Sequence, residues 1–202
     1  MSSDTDSLAL LESALDQTGA VIAAIDPSQA ELATPCRDWD VRALVRHVTG
    51  QSLRNFAVTA RGQEPDWQTP ADELGEDWAG EFRTRAAELL AAWKAADPEK
   101  LIEVPGGRRA PLRSRADQQI AELAVHAWDL AQATGQHADL DPAVAEHALD
   151  WSHQTMRPEF RGPDRWVDYE VVVPMSAPAY ERLAGWFGRD PDWASADGAP
   201  GN

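Results

Sequence analysis

The sequence has one cysteine, Cys36, so no internal disulfide framework is open to it, and a reducing interior is the expected setting. No apolar run approaches the ~20 residues of a membrane-spanning helix. The opening residues, MSSDTDSL, lack the basic start and apolar stretch of a secretory signal, so a cytoplasmic location is expected. Basic residues are scarce: 18 Lys and Arg stand against 34 Asp and Glu, a formal net charge of −16. Such a surface repels phosphate backbones and anionic lipid, which argues against nucleic acid and membrane as partners. There is no Gly-rich phosphate loop, no G-x-S-x-G elbow and no CxxC pair, so nothing supports a nucleotide enzyme or a serine hydrolase.

What is present reads as helix. Leu8, Leu11, Leu15, Ile22 and Ile25 recur with Glu12, Asp16 and Gln17 between them, predicting an amphipathic helix from Thr5 to Ile25, ended before Pro27. A turn-rich loop follows. The second helix starts at Asp38 or Asp40, either of which can cap it, and carries the stripe Val41, Leu44, Val45 and Val48. His47 sits at the edge of that stripe. Gly50 costs a helix ~1 kcal/mol relative to Ala. Either room beside the imidazole or close helix packing would account for it. Beyond a polar loop from Arg61 to Gly75, a third helix spans Trp78 to Trp93. Leu101–Val104 and the Gly106-Gly107 turn suggest a hairpin. The fourth helix runs from Arg113 to Thr134 with Gly135 as its stop. Asp141-Pro142 opens a fifth. Val167, Tyr169, Val171 and Val173 alternate as a short strand or extended arm would, and Tyr180 to Phe187 forms a short last helix. The expected architecture is an all-α bundle of four main helices, a single unit over residues 1–202 with both ends frayed.

The chemistry concentrates in AELAVHAWDLAQATG. Glu122 and His126, four residues apart, lie within ~40° on one helix face. A carboxylate and an imidazole so placed either hold a divalent ion with a ligand from another helix, for which His47 is the candidate, or form a solvated strip. Asp129 is either a partner for a ligand imidazole or an ordinary surface carboxylate. His147, Asp150 and His153 spread ~240° around their helix and cannot all meet one ion from it, which leaves His147 with Asp150 as the pair still open. His137 falls in a loop. Cys36 is flanked by Arg37 but also by Asp38 and Asp40, which favours a structural thiol over a nucleophile. Trp39, Trp128 and Trp151 are either pocket walls or plain core.

The segments TGAVIAAI, ATPCRDWDVRALVRHVTG and AELAVHAWDLAQATGQ, with the ending VVVPMSAPAYERLAGWFGRDPDW, give the chain a resemblance. It resembles the metal-binding N-terminal domain of mycothiol-dependent maleylpyruvate isomerase, within the DinB/YfiT-like superfamily, as short stand-alone members do. The resemblance implies a DinB/YfiT-like four-helix bundle with short extra helices and minor extended segments. It also implies a metal held by His47, Glu122 and His126, zinc first, with nickel or iron as alternatives. It implies a low-molecular-weight thiol, mycothiol, as cosubstrate for S-transfer to, or isomerisation of, a small electrophile. With 202 residues there is no room for the isomerase's second domain, so a different thiol transfer is expected rather than maleylpyruvate isomerisation. The alternative is a non-catalytic metal-binding module that regulates or meets a protein partner; a homodimer is compatible with either.

Overall fold

The computed structural model describes residues 3–194 except 38, 105, 106, 163, 164 and 166, with side chains described from residue 7. The frayed ends expected of the chain lie largely outside that range, as does Asp38. Seven α-helices account for most of the described residues: α1 (Ser3–Ala23), α2 (Val41–Arg46), α3 (Leu53–Ala60), α4 (Trp78–Ala95), α5 (Arg113–Ala133), α6 (Pro142–Thr155) and α7 (Ala179–Trp186). A two-stranded antiparallel hairpin joins α4 to α5. It pairs β1 (Leu101–Val104) with β2 (Arg108–Pro111), Leu101 opposite Pro111 and Val104 opposite Arg108. Gly107 takes φ +69° in its turn, and the expected partner Gly106 lies outside the described residues.

Four rods close a bundle: α1 packs on α4 and α5, α3 on α4, and α2 and α3 on α5. This is the all-α bundle that the sequence leads one to expect. Helix α5 is its axis, with Ile120, Leu123, Ala124, Ala127 and Leu130 without solvent exposure. Its buried residues meet α1 on one flank and α6 on another, and α7 closes over α6 and α5. Burial of a Leu or Ile side chain is worth ~1.5–3 kcal/mol, so this helix is the most strongly held element. It ends as Gly135 predicts. That residue adopts φ +66°, Gln136 N–H donates to Ala131 C=O and Gly135 N–H to Gln132 C=O, the paired bonds of a Schellman stop.

Two regions depart from the sequence reading. Helices α2 and α3 are joined by a π-helical stretch, His47–Ser52, where a continuous α-helix is expected. A π turn holds more residues than an α turn and is found at functional sites. Gly50, inside it, would place a Cβ 2.6 Å from the Cβ of Ala71. Close packing therefore explains this glycine, but against the 61–77 connection instead of another helix; it makes no room for the imidazole. The second region is the alternating segment 167–173, where the extended arm and not the short strand is found; only the inward side chain expected of Tyr169 fails. Val171 N–H donates to Gly185 C=O, and a Cβ at Gly185 would meet Val173 Cγ2 at 2.3 Å. The arm lies on α7 by way of that glycine. Tyr169 faces solvent, although its alternation with Val167 predicted an inward side chain.

Candidate metal centre

Asp40 positions the first histidine. Its side chain accepts from Ala43 N–H at 2.7 Å and starts α2. His47 follows α2 directly, as the first residue of the π segment. Ahead of the helix, the Thr34 hydroxyl stands 3.0 Å from Cys36 C=O and 2.8 Å from Trp39 C=O, pinning the TPCRDW loop. That loop lays the Trp39 ring against His47, centroids 4.4 Å apart, and 6.0 Å from the His126 ring.

His47, Glu122 and His126 converge. Their ligand atoms all lie within 4.8 Å of one another, and the two imidazoles meet edge to face at 5.4 Å. His47 Nε2 stands 3.0 Å from Glu122 Oε1. The side chains keep 15%, 20% and 11% exposure, so none of the three is wholly sealed from solvent.

The remote nitrogen of each imidazole is committed. Gln51 donates its amide N–H to Trp67 C=O at 3.0 Å, which turns its Oε1 to His47 Nδ1, also at 3.0 Å. An amide oxygen only accepts, so His47 Nδ1 carries a proton and any lone pair of that ring is on Nε2. On α5, Asp129 Oδ2 accepts from His126 Nδ1 at 3.0 Å. Asp129 is fully buried, which removes the surface-carboxylate alternative. Arg189, after α7, grips both of its oxygens, Nε to Oδ1 at 3.2 Å and Nη2 to Oδ2 at 3.0 Å.

Electrostatics follow this layout. Burial pulls the His47 imidazole down, but the hydrogen bond and charge of Glu122 outweigh it and hold its pKa above the usual histidine value. Burial pushes Glu122 up, and His47 with His126 outweighs it and holds that carboxyl below its usual range. Burial dominates at His126, whose pKa is lowered despite Asp129, so this ring is held neutral. Burial would raise Asp129, and Arg189 keeps it ionised.

The other candidates separate from this cluster. His147 Nε2 pairs with Asp117 Oδ1 at 2.9 Å, not with Asp150, and His153 meets Trp186 edge to face. His137 is exposed. Cys36 is half-buried, and its sulfur joins a second set with His126 and Asp129 within 4.8 Å, nearer the site than the sequence suggested. Of the three tryptophans, Trp39 stacks at the site and Trp128 belongs to the core. Gln51 and Arg189 escaped the sequence reading. Gln51 sits four residues after His47, the spacing that picked out Glu122 and His126, and was findable by the same rule. No local signal marks Arg189.

The family model for the mycothiol maleylpyruvate isomerase N-terminal domain matches residues 11–131. Over 188 residues the chain is 31% identical to an uncharacterized protein of Mycobacterium tuberculosis strain H37Rv and, equally, to one of strain CDC 1551. Each alignment covers 91% of this chain and 98% of the relative. The fold is similar to crystal structures of mycothiol-dependent maleylpyruvate isomerase. A point mutant aligns with TM-score 0.57 at 18% identity, and a second structure with 0.52 at 14%; each covers 71% of this chain and 67% of the other. At those identities the likeness establishes the fold alone. The matched segment holds His47, Glu122, His126 and Asp129, and the chain belongs to the mycothiol maleylpyruvate isomerase N-terminal domain family.

Proposed function

We propose that the chain, taken as one unit over residues 1–202, is a cytoplasmic metal-dependent enzyme. It would use a low-molecular-weight thiol, mycothiol in this family, for S-transfer to, or isomerisation of, a small electrophile. His47, Glu122 and His126 would hold the ion, zinc before nickel or iron. One observation carries the reading. With His47 Nδ1 protonated, a neutral ring points a lone pair at a carboxylate oxygen 3.0 Å away. Two acceptors share such a gap only with a cation between them, a proton or a metal. Two imidazoles and a carboxylate, each imidazole tied at its remote nitrogen, suit Zn²⁺ with an open position.

A divalent ion held there supplies Lewis acidity, which favours the ionised form of a thiol reaching its open side. The chain's own residues do the rest. Glu122 offsets part of the ion's charge. Gln51 and Asp129 keep the Nδ1 protons in place, so both rings present Nε2. Trp39 forms an apolar wall on one side of His47, limiting water where the electrophile would sit.

The test is metal content of the purified protein, wild type against His126→Ala, followed by Co²⁺ substitution and titration with several thiols. Stoichiometric metal in the wild type, lost in the variant, with thiol-to-cobalt charge-transfer bands, supports the enzyme. Absence of metal from the wild type sinks it. Sulfur ligation before any thiol is added, abolished by Cys36→Ser, would instead mark a closed, non-catalytic centre.

A further inference from the structure

Arg189 lies well beyond the matched residues 11–131, yet its side chain is only 11% exposed and meets Asp129, the partner of His126. The local fold is built to deliver it. Gly188 takes φ +81°, and a Cβ there would stand 2.7 Å from Asp168 Cβ and 2.9 Å from Tyr169 C=O. The chain turns at that glycine, Arg189 N–H donates to Ala184 C=O, and Nη1 to Phe187 C=O at 2.9 Å. Nε and Nη2 of the guanidinium both donate to Asp129. We infer that Arg189 is a positioning residue for the metal centre: its planar fork fixes the Asp129 carboxylate, and Asp129 in turn fixes the His126 ring.

The geometry gives each bond a separate task. Asp129 Oδ2 serves both His126 Nδ1 and Arg189 Nη2 at 3.0 Å, while Oδ1 takes Arg189 Nε. A carboxylate held at one oxygen can still rotate. Held at both by a fork, its plane is set, and Oδ2 meets the imidazole in one orientation. A single charge cannot do this, so lysine is a poor substitute. The segment carrying α7 thereby becomes part of the site. The inference rests on the proposed metal at His47, Glu122 and His126.

The experiment measures Zn²⁺ affinity by chelator competition, and the Co²⁺ absorption spectrum, on wild type, Arg189→Gln, Arg189→Lys and Arg182→Gln. Arg182, on α7, bonds Ala177 C=O and Glu146 of α6 and makes no bond to Asp129, so it reports general loosening of the terminal segment. Arg189→Gln should weaken binding roughly 10–100-fold and shift the cobalt bands. Arg189→Lys should recover only part of the loss, and Arg182→Gln should match wild type. Unchanged affinity and spectrum in Arg189→Gln, or an equal loss in Arg182→Gln, overturns the inference. Should Arg189→Gln not fold, the wild type decides: the Arg189 Nε–H resonance must shift on Zn²⁺ addition, and a static resonance overturns the inference. A wild type that takes up no ion removes the proposed function and this inference together. A wild type that loads normally beside unaffected Arg189 variants removes this one alone.

Discussion

Gln51 bridges His47 to a loop, its Oε1 on the imidazole Nδ1 and its Nε2 on the carbonyls of Trp67 and Thr69. That one amide sets which imidazole nitrogen faces Glu122. Replacing it by alanine frees the ring to rotate or change tautomer. Gln51→Ala should weaken metal binding by about tenfold or more, with little change in the unfolding midpoint of the metal-free protein. Chelator competition and thermal unfolding on the same samples check this. Unaltered affinity would mean that the ring is held by Trp39 alone.

Metal loading should depend on pH in one direction. The ion needs His47 Nε2 unprotonated, and Glu122 raises the pKa of that ring. Protons therefore compete as pH falls, so affinity should rise with pH until it passes the raised His47 value, then level off. Glu122→Gln removes the charge responsible, and the midpoint of proton competition should move down even as overall affinity drops. Isothermal titration in buffers of different ionisation enthalpy, counting protons released, distinguishes this from a simple loss of a ligand.

Acid should remove a defined contribution from the metal-free fold. The Asp129 carboxyl is held below its ordinary value by Arg189. A carboxyl with a depressed folded pKa stabilises the fold above its unfolded pKa, 3.8 for Asp, and loses that stabilisation as pH falls through the folded value. Asp129→Asn leaves the Arg189 charge buried and uncompensated, at a cost of roughly 3–5 kcal/mol near neutrality. The gap between wild type and variant should narrow below pH ~4, as the wild type's own carboxyl becomes protonated. Denaturant unfolding of both proteins from pH 7 to pH 3 measures it; a constant gap would refute the ionised pair.

Gly50→Ala tests the packing that shapes the π segment. Alanine would gain ~1 kcal/mol of helix propensity. The new methyl would stand 2.6 Å from Ala71 Cβ, a short side chain with nowhere to rotate. Overpacking costs typically ~1–3 kcal/mol, so the clash should win. At ~2–4 °C per kcal/mol for a chain of this size, a fall of several degrees in Tm is expected. A rise would show that the loop yields freely.

Much of this was legible beforehand because it is local. Apolar periodicity, the Asp40 and Asp141 caps and the Gly135 stop depend on residues within a few positions, and the helices follow them closely. The Glu122–His126 spacing is equally local, since one helix turn sets it. The π stretch was not legible, because a regular α-helix is the lower-cost expectation for VRALVRHVTGQSL, and only the press of Ala71 on Gly50 accompanies the departure.

By itself, then, the sequence determined which segments become helices and which faces are apolar, because hydrogen bonds along one helix and its burial pattern are written in short-range order. Only the tertiary structure decided that His47 reaches Glu122, that Asp129 is buried, and that Arg189 closes on it from 60 residues away. Those meetings depend on how separate helices pack. A charge such as Arg189 looks like any surface arginine until a left-handed glycine turns it inward.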